Sequence, residues 1–143
     1  TNVKEPSMKR KLTIAGLCAV VLLGLAMTMA DPFESTKWKV TVTPDADTAN
    51  SGQKPFEEMF YFKGGMFSTK TGEKKGFKPV QYDDNTVRFG PATFTAEPQS
   101  EQEGKAKWTG VVAANTIKGE LVWTKKDGKV LSYSYTGERD DTK

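Results

Sequence analysis

The sequence predicts an all-β protein: about eight antiparallel strands in a meander that closes into a small barrel, preceded by an N-terminal signal-peptide helix. Three observations predict it. After residue 30, apolar and polar residues alternate with period two, and no stretch shows the 3.6-residue period of a helix. The alternating stretches are joined by short connections rich in Gly, Asn and Asp, the residues that tight turns require. Their number is even, so the last strand can pair antiparallel with the first and remove both sheet edges. An open β-sandwich is the competing arrangement, because a strand count alone does not close a sheet.

The N-terminal element is Met8–Ala30, MKRKLTIAGLCAVVLLGLAMTMA. Lys9, Arg10 and Lys11 make a positive start, Leu12 to Met29 is an almost unbroken apolar run, and Thr28 and Ala30 are small residues ahead of a cleavage point before Asp31. These are the three parts of a secretory signal peptide. Gly16, Gly24 and Thr28 dilute a run already at the lower length limit for a membrane span, which argues against an uncleaved anchor. Cys18 follows Leu17 and not a small residue, which argues against lipid attachment. The expected location is secreted or periplasmic, with no stable membrane association after cleavage; the alternative is an N-terminal anchor in the inner membrane. The seven residues before Met8, TNVKEPS, contain no initiator Met and read as a fragment edge or upstream translation.

The strands follow in order. Trp38, Val40 and Val42 share one face, with Lys39, Thr41 and Thr43 on the other. After the polar loop PDADTANSGQKP, Phe60 and Phe62 lead into Gly64-Gly65 and then Met66, Phe67 and Thr69; Gly-Gly supplies the positive φ angles of a two-residue hairpin turn. The connection GEKKGFKP leads to Val80 and Tyr82, and Asp83-Asp84-Asn85 reads as the next turn. Val87 and Phe89, a break at Gly90-Pro91, and then Ala92, Phe94 and Ala96 read as one long strand with a bend or bulge. The last three strands place Ala106, Trp108, Gly110 and Val112 on one face, then Ile117, Gly119, Leu121 and Trp123, then Leu131, Tyr133, Tyr135 and Gly137. Ala114-Asn115 and Asp127-Gly128 connect them, and the inward glycines 110, 119 and 137 fit tight curvature or close packing beneath Trp108 and Trp123. No convincing helix follows Ala30.

Charge and composition exclude several functions. The chain has 21 Lys+Arg and 18 Asp+Glu; Lys4, Lys9, Arg10 and Lys11 against Glu5 fall before residue 31, which leaves 17 of each in a single domain from 31 to 143. The basic excess therefore belongs to export, and the electrostatic case for nucleic-acid binding fails. There is no histidine, and Cys18 is the one cysteine. No disulfide framework, Cys/His zinc site or Ser-His or Cys-His dyad can be built from the mature part.

Trp38 opening the first strand, the run of hairpins, Trp108-x-Gly110 and the Gly119 to Trp123 spacing make Lys37 to Arg139 resemble small secreted bacterial β-barrels of lipocalin-like or avidin-like, calycin-type architecture. Lipocalins place a glycine two residues before that tryptophan, where this chain has Thr36. The resemblance implies a capacity to hold a small molecule in the barrel mouth.

Candidate ligand contacts are the inward aromatics Trp38, Phe60, Phe62, Phe94, Trp108, Trp123, Tyr133 and Tyr135, with the tyrosine hydroxyls as polar handles. The same residues also serve as the core of so short a chain. Glu58 is the one acid whose parity puts it on the Phe60 and Phe62 face. Asp45 and Asp47 lack the remaining ligands of a calcium loop and read as a solvated loop. Asp83 and Asp84 are adjacent in sequence and diverge too much for an acid/base pair, and Lys74, Lys75 and Lys78 read as a solvated basic loop. No catalytic residues, metal or cofactor are expected. The sequence points to an exported, non-catalytic binding protein for a small apolar or glycan-like ligand. The alternative is a structural or protein-interaction module with a filled barrel and contact loops at 44–55 and 71–79.

Overall fold

A computed structural model describes residues 31–86 and 90–143. The signal-peptide expectation and the positions of Val87 and Phe89 lie outside the described residues. Pro32–Lys143 forms one compact unit. Its strands are β1 (Thr36–Pro44), β2 (Phe56–Lys63), β3 (Met66–Thr69), β4 (Val80–Gln81), β5 (Asp83–Asn85), β6 (Ala92–Ala96), β7 (Gln99–Ser100), β8 (Gly104–Ala113), β9 (Thr116–Thr124) and β10 (Val130–Arg139).

All pairs are antiparallel, in the order β4-β3-β2-β1-β10-β9-β8-β6-β5, with β7 pairing aside on β8. The first and last long strands, β1 and β10, pair from Trp38 opposite Arg139 to Pro44 opposite Tyr133. The two ends of the order, β4 and β5, are separated in sequence only by Tyr82, so they form one crossing strand. Its first half pairs with β3 and its second half with β6. Eight crossings therefore make a nearly closed barrel, as the alternation predicts. A single strand that changes partner along its length makes the seam.

The inward faces are those read from the sequence: Trp38, Val40 and Val42; Glu58, Phe60 and Phe62; Ala106 and Trp108; Ile117 and Leu121; Leu131, Tyr133 and Tyr135 are all buried. Gly64 and Gly65 sit at φ 62° and 74°, the two positive angles that a type I′ hairpin turn needs between β2 and β3.

Several sequence expectations are corrected. Asp83-Asp84-Asn85 is not a turn: it pairs with Thr95, Phe94 and Thr93, because cross-strand pairing at the seam overrides the turn preference of these residues. Of the stretch expected as one bent strand, the described part is β6, which pairs antiparallel with β5. Two one-turn helices are present, α1 (Ala46–Asn50) and α2 (Lys70–Lys74). Each is too short to show a period and is specified by its N-cap: Asp45 accepts from the Thr48 N–H, and Thr69 accepts from the Gly72 N–H. The inward glycines do not lie beneath Trp108 and Trp123. A side chain at Gly110 or Gly119 would run into the Tyr135 hydroxyl, and one at Gly137 into Val40.

One end of the barrel is closed. Phe33, fully buried, packs on Phe62 at 5.1 Å and Phe94 at 5.4 Å between ring centres. Its position is locked by a relay: the Trp38 indole N–H donates to Thr36 Oγ1 at 2.9 Å, and the Thr36 hydroxyl donates to the Phe33 carbonyl at 2.5 Å. Next to it, the Glu34 carboxylate accepts from the N–H groups of Gly64 at 2.5 Å and Gly65 at 3.0 Å, tying the plug to the β2–β3 turn. Above the plug, Phe60, Phe62, Phe67, Phe94, Trp108 and Tyr135 form a lattice of edge-to-face and tilted contacts with ring centres 5.0–6.4 Å apart.

Candidate ligand-binding site

The same strands leave space at their other end. β2 enters with Phe56 and Glu58, β8 with Ala106 and Trp108, β9 leaves with Leu121 and Trp123, and β10 enters with Tyr133. These residues line a cavity of about 300 Å³. Trp108 is its floor, because the ring that faces the cavity also packs on Phe60 at 5.0 Å and Tyr135 at 5.7 Å in the filled half. The room comes from a pairing of sizes: Ala106 stands opposite Trp123, and Leu121 opposite Trp108.

The rim is knitted from loops. Phe77, buried, packs edge-on to Trp123 at 6.2 Å, and Phe56 packs edge-on to Tyr133 at 5.8 Å. The Trp123 indole N–H donates to the Glu103 carbonyl at 2.6 Å. Ser100 donates to the Lys75 carbonyl at 2.8 Å and accepts from Gln102 and Glu103, which binds the β7 turn to the end of α2. On the opposite side, Asp45 N–H donates to the Ser132 carbonyl and Ser132 N–H donates to Thr48 Oγ1, holding α1 against β10. The Tyr133 hydroxyl points toward Gln53 Oε1 at 3.5 Å, and burial raises its pKa.

Glu58 lies on the inward face, 4% exposed, at the cavity wall. Its Oε1 accepts from the Met59 N–H at 3.0 Å and the Thr71 N–H at 2.9 Å, so this carboxylate secures the first turn of α2. Lys75 and Lys78 border the cavity from the loop after α2. Lys75 Nζ stands 4.8 Å and Lys125 Nζ 5.5 Å from the centre of the Trp123 ring.

Of the ligand contacts expected from sequence, Glu58, Trp108, Trp123 and Tyr133 line this cavity. Trp38, Phe60, Phe62, Phe94 and Tyr135 are brought together instead in the packed half. Tyr135 illustrates the difference: its hydroxyl donates to the Thr109 carbonyl at 2.7 Å, and burial pushes its pKa far up. Phe56, Phe77, Ala106 and Leu121 complete the wall without having been singled out as contacts. Phe56 had a signal, the parity it shares with Glu58, Phe60 and Phe62; Phe77, set among lysines in a loop, had none.

Asp45 and Asp47 belong to α1, Asp45 as its N-cap, and no group of three or more His, Cys, Asp or Glu gathers into a metal-holding cluster among the described residues. Asp83 and Asp84 are exposed on β5. The chain matches no protein-family model, no curated protein and no solved structure among those compared.

Proposed function

We propose that this protein is an exported, non-catalytic binding protein that takes a small, partly apolar ligand into the open end of the barrel. The observation that carries this reading is the cavity of about 300 Å³ between the Trp108 floor and the Trp123 rim. That volume lies at the lower end of ligand sites, and the mixture of aromatic wall and few polar groups is their usual chemistry. A filled core would spend this space on side chains, since interiors pack to crystal-like density. The calycin-like arrangement, a barrel plugged at one end and open at the other, supports the same reading by analogy of architecture. The cavity-facing acid, Glu58, is engaged by two backbone N–H groups, a positioning role for α2 and not that of a free acid or base.

The test is a titration of the protein with n-octanol, a neutral ligand of suitable size, followed by tryptophan fluorescence. Saturable change is expected from Trp108 and Trp123, and Ala106→Phe, which fills the space opposite Trp123, is expected to weaken binding by more than about tenfold. A folded wild type that shows no response overturns the reading and turns the search to partners of the loops at 44–55 and 71–79.

A further inference from the structure

Resting on the reading of the cavity as a ligand site, we propose that the ligand is a short single-chain amphiphile with an anionic head. The tail lies between Trp108 and Ala106, and the head lies at the ammonium groups of Lys75 and Lys125 beside Trp123. The depth of the site is set by its apolar floor: Ala106 and Leu121 have no polar side-chain atom and Trp108 has a single indole N–H, too little to match a full charge, and burying a charge there is prohibitive. A charged group must therefore stay at the mouth, while an alkyl or aryl part fits below. At roughly 30 Å³ per water-sized group, the space holds on the order of ten non-hydrogen atoms.

The sign of the head follows from which charges are already matched. Among the described residues, the ion pairs join Lys105 and Lys107 to Glu97 and Arg139 to Asp141; neither Lys75 nor Lys125 has a carboxylate within 4.0 Å. Both hold their Nζ near the same indole, at 4.8 and 5.5 Å from its centre, so Trp123, which lines the cavity, has two cations beside it, and Lys78 also borders the cavity. The acids of the cavity wall are differently placed. Glu58 Oε1 is taken by the Met59 and Thr71 N–H groups. Glu57, of the opposite parity on β2, is exposed to solvent on the outer face of the strand. The unmatched charge at the mouth is positive. A carboxylate or sulfate placed there completes two charge-assisted contacts, while an ammonium head meets like charge.

The experiment compares octanoate, octanol and octylamine at equal ionic strength, read by tryptophan fluorescence. Octanoate is expected to bind about tenfold tighter than octanol and octylamine more weakly than either. The double variant Lys75→Gln, Lys125→Gln is expected to lose about tenfold in octanoate affinity, and the charge-matched double variant Lys63→Gln, Lys118→Gln at the closed end is expected to lose none. Octanoate affinity is expected to fall as salt is raised from 0.05 to 0.5 M, over a range where Debye screening shortens to several Å. Equal affinity for octanoate and octanol, or an octanoate affinity unchanged in Lys75→Gln, Lys125→Gln, overturns the anionic head and leaves the cavity reading standing. Octanoate binding that survives Ala106→Phe overturns the proposal by showing an anion held on the surface alone. If none of the three ligands binds, the cavity reading falls with it.

Discussion

The two halves of this barrel are made by the same strands and differ in what those strands do with their inward positions. Toward the plug, Phe62 on β2 touches Phe33, Phe67, Tyr82 and Phe94, all with ring centres 5.0–5.2 Å away, and is 1% exposed. Toward the mouth, Phe77 is also buried, at 8% exposed, but among the described residues it meets one aromatic partner, Trp123, at 6.2 Å, across the edge of a cavity. Burial alone thus does not separate a core residue from a pocket residue. What separates them is whether the far side of the ring is matched by atoms or by space.

The sharpest way to break this comparison is to truncate a phenylalanine in each half. Phe62→Ala removes a ring packed on all sides and is expected to cost about 3–5 kcal/mol. Phe77→Ala removes a ring that already borders space and is expected to cost less than half as much, since part of its packing is absent from the start. Urea unfolding of the two variants checks this; equal losses would mean that the halves are packed alike.

A second test uses the boundary. Tyr135 sits over Gly110 and Gly119 with its hydroxyl on the Thr109 carbonyl. Tyr135→Phe leaves that carbonyl without its side-chain partner, at a cost of about 1–3 kcal/mol. The pH dependence has a definite sign. Burial raises the folded pKa of Tyr135 above its ordinary value near 10. Below about pH 10 both states hold the proton and the stability it contributes is fully present; above it the unfolded chain ionises first, and stability is lost as pH rises toward the folded value. Denaturant midpoints measured from pH 8 to 11 are expected to fall more steeply for the wild type than for Tyr135→Phe. Parallel curves would show that the phenol is reached by water.

How much of this was legible in the sequence is seen along β10. Alternation put Leu131, Tyr133, Tyr135 and Gly137 on one face, and the structure places all four inward. Alternation is blind to height. Tyr133 lines the cavity and Tyr135, two residues on, is part of the packed lattice, because their partners are Leu121 and Gly119, whose heights depend on the stagger of every strand in the ring. The plug was illegible for another reason: Phe33 belongs to no strand, and its burial comes from Ser35 at φ 60° turning the chain back across the barrel end. Helix α2 was hidden in a run of lysines and glycines. It exists because Thr69 and the inward Glu58, distant in sequence, together satisfy its first N–H groups.

The smallest expected effect concerns the rim alone. Asp45 caps α1, and the bonds it receives from the Thr48 N–H and then the Thr48 side chain hold its pKa below the usual carboxylate value. A depressed folded pKa contributes stability above the unfolded value, and that contribution is lost as pH falls through the folded one. Asp45→Asn keeps an oxygen that caps almost as well, so melting at pH 7 is expected to shift little. The difference from wild type is then expected to shrink further between pH 4 and pH 2, as the wild-type carboxylate takes up its proton. Asp140, in the tail after β10, is depressed in the same direction by Thr142 and serves as the matching probe at the closed end. Because α1 touches the barrel through Ser132 and Thr48, loss of its cap should loosen the mouth before it loosens the plug. Hydrogen exchange at Ser132 in Asp45→Ala, which removes the cap, set against exchange at Gly64 and Gly65 under the Glu34 carboxylate, reads that order directly. Faster exchange at Ser132 with Gly64 and Gly65 unchanged would establish that the two ends open independently, and acceleration at both would make the barrel a single cooperative unit.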